Sequence, residues 1–146
     1  MFTRKFLLAL VSLFVLGFVS GASAADTAKK AAEKQRVVLQ VSDDSPKTWN
    51  QALNVVENLQ QAYGAQDIDV KLIAFGLGLG ILKLDSVAGS RVQDAVQSGA
   101  QILACENTMR RQKLTKADMA PNLGYVSAGV VEIIELQKKG WTVIRP

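Results

Sequence analysis

The chain has 146 residues, 49% apolar and 21% charged, with 11 Gly, 3 Pro, one Cys and no His, the length of about one domain and the composition of a chain that folds. Without His and with a single Cys, it cannot build a His-based triad, a His-ligated zinc or haem site, or an intramolecular disulfide. What remains is chemistry by a lone thiol, by carboxylates, by Lys or Arg, or none.

The chain opens with Met1-Phe2-Thr3-Arg4-Lys5, continues with an apolar run from Phe6 to Val19, and reaches the small residues Ser20-Gly21-Ala22-Ser23-Ala24. A basic start, a greasy stretch and an Ala-x-Ala site in that order predict a secretory signal peptide over residues 1–24, cut after Ala24. The apolar run is 14 residues long, short of the roughly 20 a spanning helix needs. No Cys stands at the cleavage site, so no lipoprotein anchor is expected. The expected product is periplasmic or secreted, with no stable membrane insertion after cleavage. Losing Arg4 and Lys5 from 17 basic residues, against 13 acidic ones, lowers the formal net charge from +4 to +2. The basic pairs Lys29-Lys30, Arg110-Arg111 and Lys138-Lys139 have no interleaved aromatic residues, so no nucleic-acid binding is expected. Residues 25–35, rich in Ala and Lys, read as a polar tether.

From Arg36 to the C-terminus, short apolar runs alternate with stretches of helical period, the pattern of an α/β fold with a parallel sheet. A first strand is expected at Arg36–Val41. It is followed by Ser45, an N-cap candidate, and Pro46, which suits the first position of a helix. That helix runs to about Gly64 and places Trp49, Ala52, Leu53, Val56, Leu59 and Tyr63 on one face. A second strand, Ile68–Phe75, runs into Gly76-Leu77-Gly78-Leu79-Gly80, which lacks the order of a dinucleotide or P-loop motif and reads as a crossover that allows close packing. A helix over Ser90–Ser98 leads to a third strand, Ile102-Leu103-Ala104, running into Cys105. A short helix within Thr108–Leu114, a strand at Gly124–Ser127, a helix over Gly129–Lys139 stopped by Gly140, and a strand at Trp141–Ile144 complete one three-layer α/β/α sandwich on a mainly parallel sheet of five strands.

Ligands of open α/β sheets bind beyond the carboxyl ends of the strands, here the segments Ser42–Ser45, Gly76–Gly80, Cys105–Thr108 and Ala128-Gly129, which places candidates at Asp43, Asp44, Phe75, Gly76, Cys105, Asn107, Thr108 and Arg110. Cys105 is the one nucleophile of special reactivity. A strand end running into a helix offers backbone N–H groups to a thiolate, and Arg110 and Arg111 add positive charge. Adjacent Glu106 opposes this, and free Cys is often simply buried, so a reactive thiol and a packed one both stand. Asp43 and Asp44, two neighbouring carboxylates without further ligands, read more readily as capping or solvated groups than as a metal site, and no metal is expected.

The segment Arg36–Pro146, 111 of 146 residues, resembles the DsrE/DsrF-like family, in particular its exported branch. The resemblance is carried by Ile102-Leu103-Ala104-Cys105-Glu106-Asn107-Thr108 and Val126-Ser127-Ala128-Gly129-Val130-Val131-Glu132-Ile133, with Leu136-Gln137-Lys138-Lys139-Gly140-Trp141, the final Pro146 and Asn58-Leu59 in support. It implies the sheet and helices described above (a DsrEFH-like fold), assembly into homo- or hetero-oligomers, and a sulfur relay in which Cys105 carries a persulfide. Phe75 stands where many relatives are expected to have His. The expected partners are further copies of the chain and a protein that donates or accepts sulfur. No cofactor is implied, because thiolate attack on sulfane sulfur needs none. The alternative is a non-catalytic, oligomeric module that binds a small ligand or partner and keeps Cys105 as a structural residue.

Overall fold

The computed structural model describes residues 34–146; the expected leader and all but the end of the expected tether lie outside the described residues. In chain order the elements are β1 (Gln35–Val41), α1 (Pro46–Tyr63), β2 (Ile68–Ala74), a 3-10 segment (Gly76–Leu82), α2 (Gly89–Gln97), β3 (Gln101–Cys105), α3 (Glu106–Arg111), a 3-10 turn (Lys116–Asp118), β4 (Gly124–Val126), α4 (Gly129–Lys138) and β5 (Thr142–Ile144). The five strands form one sheet in the order β4-β3-β2-β1-β5, and every neighbouring pair is parallel.

This order decides which helix covers which face. The chain steps from β1 to β2, β3 and β4 in one direction, then returns across the whole sheet to β5. Right-handed crossovers therefore put α1 and α2 on one face and α4, which makes the return, on the other. Register agrees. Leu39 pairs with Leu72 and Leu72 with Ile102, pointing to the first face, while Ile73 pairs with Leu103 on the second. The first face carries the larger core, in which Leu39, Leu72 and Ile102 meet Trp49, Leu53, Val56, Leu79 and Val92. The second is thin, with Val38, Ile73 and Leu103 packed on Ile133 and Leu136 of α4. Val38 and Leu39, adjacent and on opposite faces, are both wholly buried, which is why the strands read as unbroken apolar runs.

α1 begins as expected. Ser45 is extended and accepts a hydrogen bond from the Thr48 N–H, and Pro46 occupies the first turn. Trp49, Ala52, Leu53 and Val56 are buried, but Tyr63 is exposed. A helix of 18 residues is about 27 Å long against about 23 Å for a strand of seven residues, so its last turn runs past the sheet. The glycine run forms a tight 3-10 segment. A Cβ on Gly78 would stand 2.5 Å from the Val41 carbonyl oxygen, so only glycine lets this segment lie across the end of β1.

Some boundaries differ from the sequence expectations. β1 already includes Gln35, which pairs with Ile68. β2 ends at Ala74, β4 at Val126, and β5 begins after Trp141, whose N–H turns back to the Leu136 carbonyl. The short helix after β3 starts at Glu106 instead of Thr108 and ends at Arg111, where Lys113 enters the left-handed region at φ 57°. Its start carries no apolar periodicity, so hydrogen bonding alone sets it. Among the described residues no helix is long and apolar enough to cross a membrane.

Candidate functional site

β3 delivers Cys105 to its carboxyl end. Cys105 and Leu103 are two residues apart on one strand and so share a face, the thinly covered face beneath α4. The next residue begins α3, which makes Cys105 the N-cap of that helix, with φ −78° and ψ 111°. An N-cap side chain meets the free N–H groups of the first turn, and at this position the side chain is a thiol.

The N-terminus of α4 reaches the same atom. The Gly129 N–H donates to Cys105 Sγ at 3.2 Å. Gly129 is packed closely enough that a Cβ would stand 3.1 Å from Ile73 Cγ2 and from Phe75, and this close approach lets the helix end descend onto the strand ends. Asn107 fixes the first turn of α3, its N–H donating to the Ser127 carbonyl just beyond β4 at 3.1 Å.

Thr108 and Gln112 anchor the third side. The Gly76 N–H donates to Thr108 Oγ1 at 3.0 Å and Gln112 Nε2 donates to the Gly76 carbonyl at 3.0 Å. Gly76 is left-handed at φ 57°, a conformation that favours glycine. Burial pushes the Cys105 thiol up, but hydrogen bonds from the Thr108 side chain and from the backbone N–H groups of Gly129, Thr108 and Asn107 outweigh it, and the thiol lies below its ordinary value. Hydrogen bonds to the charged form, and no neighbouring charge, produce the shift.

Cys105 is only 4% exposed and forms part of the wall of an open depression of about 240 Å³ lined by Phe75, Gly76, Cys105, Asn107, Thr108, Arg111, Ala128, Gly129 and Val130. Five of the residues singled out from sequence, Phe75, Gly76, Cys105, Asn107 and Thr108, therefore come together. Three do not line it. Asp43 faces Arg145 at 3.5 Å, its carbonyl accepting the Trp49 indole N–H at 2.7 Å. Asp44 lies at the end of β1 near Gly80. Arg110 turns to the Asn107 side chain, which accepts its hydrogen bond.

Val130 lines the depression without having been singled out; Ala128-Gly129 was expected only as a strand end, and Arg111 only as positive charge near the thiol. For Arg111 the signal was available. Once the helix starts at Glu106, Cys105, Thr108 and Arg111 follow at steps of three on one side, whereas Arg110 does not. Gly129 was legible as a strand end, but its contact with Cys105 spans 24 residues and had no comparable signal. Larger depressions lie between α1 and α2, of about 260 Å³, and beside Lys83 and Leu114, of about 340 Å³, and neither is lined by a cysteine. Among the described residues no three His, Cys, Asp or Glu side chains converge to hold a metal.

The family model described as the DsrE/DsrF-like family matches residues 20–146. Among solved structures, the protein of unknown function MTH1491 from Methanobacterium thermoautotrophicum is 27% identical, with a TM-score of 0.74 over 77% of this chain and 100% of its own. The conserved protein of unknown function BT1422 from Bacteroides thetaiotaomicron is 14% identical, with a TM-score of 0.63 over 75% of this chain and 93% of its own. The ychN protein of E. coli is 9% identical, with a TM-score of 0.65 over 77% and 99%. These last two show the fold alone. No curated protein matches.

Proposed function

The chain belongs to the DsrE/DsrF-like family, and from that premise we propose that it carries sulfane sulfur on Cys105, taking it from a donor as a persulfide and passing it to an acceptor. One observation carries the reading: the thiol at the end of β3 is met by the N–H of Gly129 from a second helix, at the wall of an open depression. Donors converging on sulfur stabilise a thiolate, and the thiolate is the form that attacks.

The chemistry needs only this atom. The Cys105 thiolate attacks the outer sulfur of a donor persulfide. A sulfur–sulfur bond forms at Cys105, the donor's own sulfur–sulfur bond breaks, and its electron pair leaves with the donor thiolate. In the second half an acceptor thiolate attacks the outer sulfur on Cys105, and Cys105 departs as a thiolate. The donors that stabilise the first nucleophile also make it a good leaving group in the return step. No net oxidation occurs. Thr108 favours the thiolate in both halves, and Gly76, itself held by Gln112, fixes the Thr108 hydroxyl.

The leader read over residues 1–24 supports a periplasmic or secreted setting for this chemistry, and the exposed Val130, Val131 and Ile134 on α4 support assembly with further copies of the chain or with a sulfur donor or acceptor protein. To test the relay, the full chain is loaded with polysulfide, freed of it by gel filtration and mixed with a small acceptor thiol. The expected result is persulfide on the acceptor and free thiol on Cys105. Retention of all sulfur on the protein, or uptake that persists in Cys105→Ala, would overturn it.

A second reading, a ligand- or partner-binding module with a structural cysteine, draws on the 4% exposure of Cys105. It predicts that a small alkylating reagent modifies the native thiol no faster than global unfolding exposes it. The relay predicts modification well ahead of unfolding.

A further inference from the structure

The depression beside Cys105 is electrostatically one-sided. Arg111 is the one charged side chain lining it. The other arginines described here have partners: Arg91 on Asn50 and Asn54, Arg110 on Asn107, Arg145 on Asp43, and Arg36 also engaged. The Arg111 side chain has no hydrogen bond or ion pair with any described residue. A second feature points the same way. α4 has ten residues and its N-cap is Ala128, which offers no side-chain acceptor, so the first-turn amides of Val130 and Val131 are left without a cap, and Val130 lines the depression. The carboxylates in the first turns of α3 and α4, Glu106 and Glu132, are not among the lining residues.

Resting on the reading that Cys105 accepts sulfane sulfur, we propose that this depression selects small donors bearing negative charge beside the sulfane sulfur, and that Arg111 is the specificity-determining residue. The volume of about 240 Å³ admits a small molecule, and thiosulfate is the simplest of the class. The Cys105 thiolate attacks its outer sulfur, the sulfur–sulfur bond of thiosulfate breaks, and the electron pair leaves with sulfite. The persulfide stays on Cys105 as an anion. Charge is conserved, and neither a proton nor an external oxidant enters. Arg111 faces both the arriving dianion and the departing sulfite, and the open helix end adds to the same potential.

The test uses the whole chain and two thiol reagents of similar size, iodoacetate with one negative charge and iodoacetamide with none. The ratio of their rates at one pH and ionic strength cancels differences in thiolate fraction and reports the field that a charged reagent meets in the depression. In Arg111→Gln the iodoacetate-to-iodoacetamide ratio is expected to fall about fivefold, the effect of removing one nearby charge in a partly solvated site, with iodoacetamide itself little changed. Arg111→Lys should retain most of the preference, and added salt should erode it in the parent but not in Arg111→Gln.

Sulfur uptake from thiosulfate and from polysulfide is scored separately by intact mass. A ratio unmoved in Arg111→Gln overturns the selection. A parent that shows the charge preference yet gains no sulfur from either compound overturns the sulfur reading and the donor class with it, whereas a parent that gains sulfur with no dependence on Arg111 overturns the selection alone.

Discussion

Two strand ends of this molecule solve the same local problem with different side chains. β1 leads into α1 with Ser45 at the N-cap, and β3 leads into α3 with Cys105 at the N-cap. At the β1 end the polar groups are spent on structure. Ser45 receives the Thr48 N–H, the Asp43 carbonyl receives the Trp49 indole, and Gly78 lies directly on the Val41 carbonyl. At the β3 end the Gly129 N–H, from a second helix, meets a sulfur that bounds an open depression. The thiol makes no cap hydrogen bond to α3; its donor comes from α4 instead. The comparison teaches that in one sheet one strand-to-helix junction is closed by its own cap, whereas the other leaves the cap atom to a second helix and to an open depression.

The two ends should therefore separate under mutation. The largest effect belongs to the β1 end. Gly78→Ala forces a Cβ against the Val41 and Ser42 backbone and is expected to cost about 3 kcal/mol of unfolding free energy. Urea denaturation checks this, and below the transition the thiol should react as in the parent. A loss below 1 kcal/mol would show that the 3-10 segment moves freely off β1.

Next comes Thr108→Val at the β3 end. It removes the side-chain donor to Cys105, and the alkylation rate at neutral pH should fall about tenfold, the worth of one hydrogen bond to a charged group. The rates of variant and parent should converge at a pH high enough to ionise both thiols, and Thr108→Ser should restore the parent profile. A uniform drop at every pH would mean that Thr108 controls access and not ionisation. Stability should change by less than about 1 kcal/mol, since the Gly76 N–H released by the change is exposed to water.

Ser45→Ala is expected to cost about 1 kcal/mol as the loss of an N-cap, visible as a lower denaturation midpoint with the alkylation rate unmoved. An altered thiol rate would join the two ends that the comparison holds apart. The pH dependence sharpens the other side. Because the Cys105 thiol lies below its ordinary value of 9.0 when folded, its ionisation favours the folded chain. That contribution is absent below the lowered folded value, grows as pH rises through it, and is complete above 9.0. The stability of the parent relative to Cys105→Ser should therefore increase with pH across that window. A difference that falls with pH would mean that burial prevails over the hydrogen bonds.

Much of the fold was open to reading because each strand is buried on both faces and written in consecutive apolar residues, as in Val37-Val38-Leu39, and because Ser45-Pro46 marks a helix start chemically. The order of the strands was not. Parallel strands look alike in composition, and nothing in Thr142-Val143-Ile144 says that it pairs with β1. Hence the unequal covering of the two faces was also hidden. Of the site, Cys105 was legible as a thiol at a strand end, and Phe75, Gly76, Asn107 and Thr108 as residues near it. Asp43 and Asp44 shared the same end of the sheet but stand with β1, two strands from β3, so a common edge did not make a common site. Arg110 was separated from Arg111 by one helical step that depended on where α3 begins. The bond from Gly129 is tertiary and has no local signature.

The central claim is that Cys105 is an accessible, sulfur-accepting thiol. It is tested most directly by the intact mass of the protein before polysulfide, after polysulfide and after a reductant, with Cys105→Ser in parallel. The account predicts added sulfur on the parent alone, removed by the reductant. No gain in the parent, or an equal gain in Cys105→Ser, would contradict it.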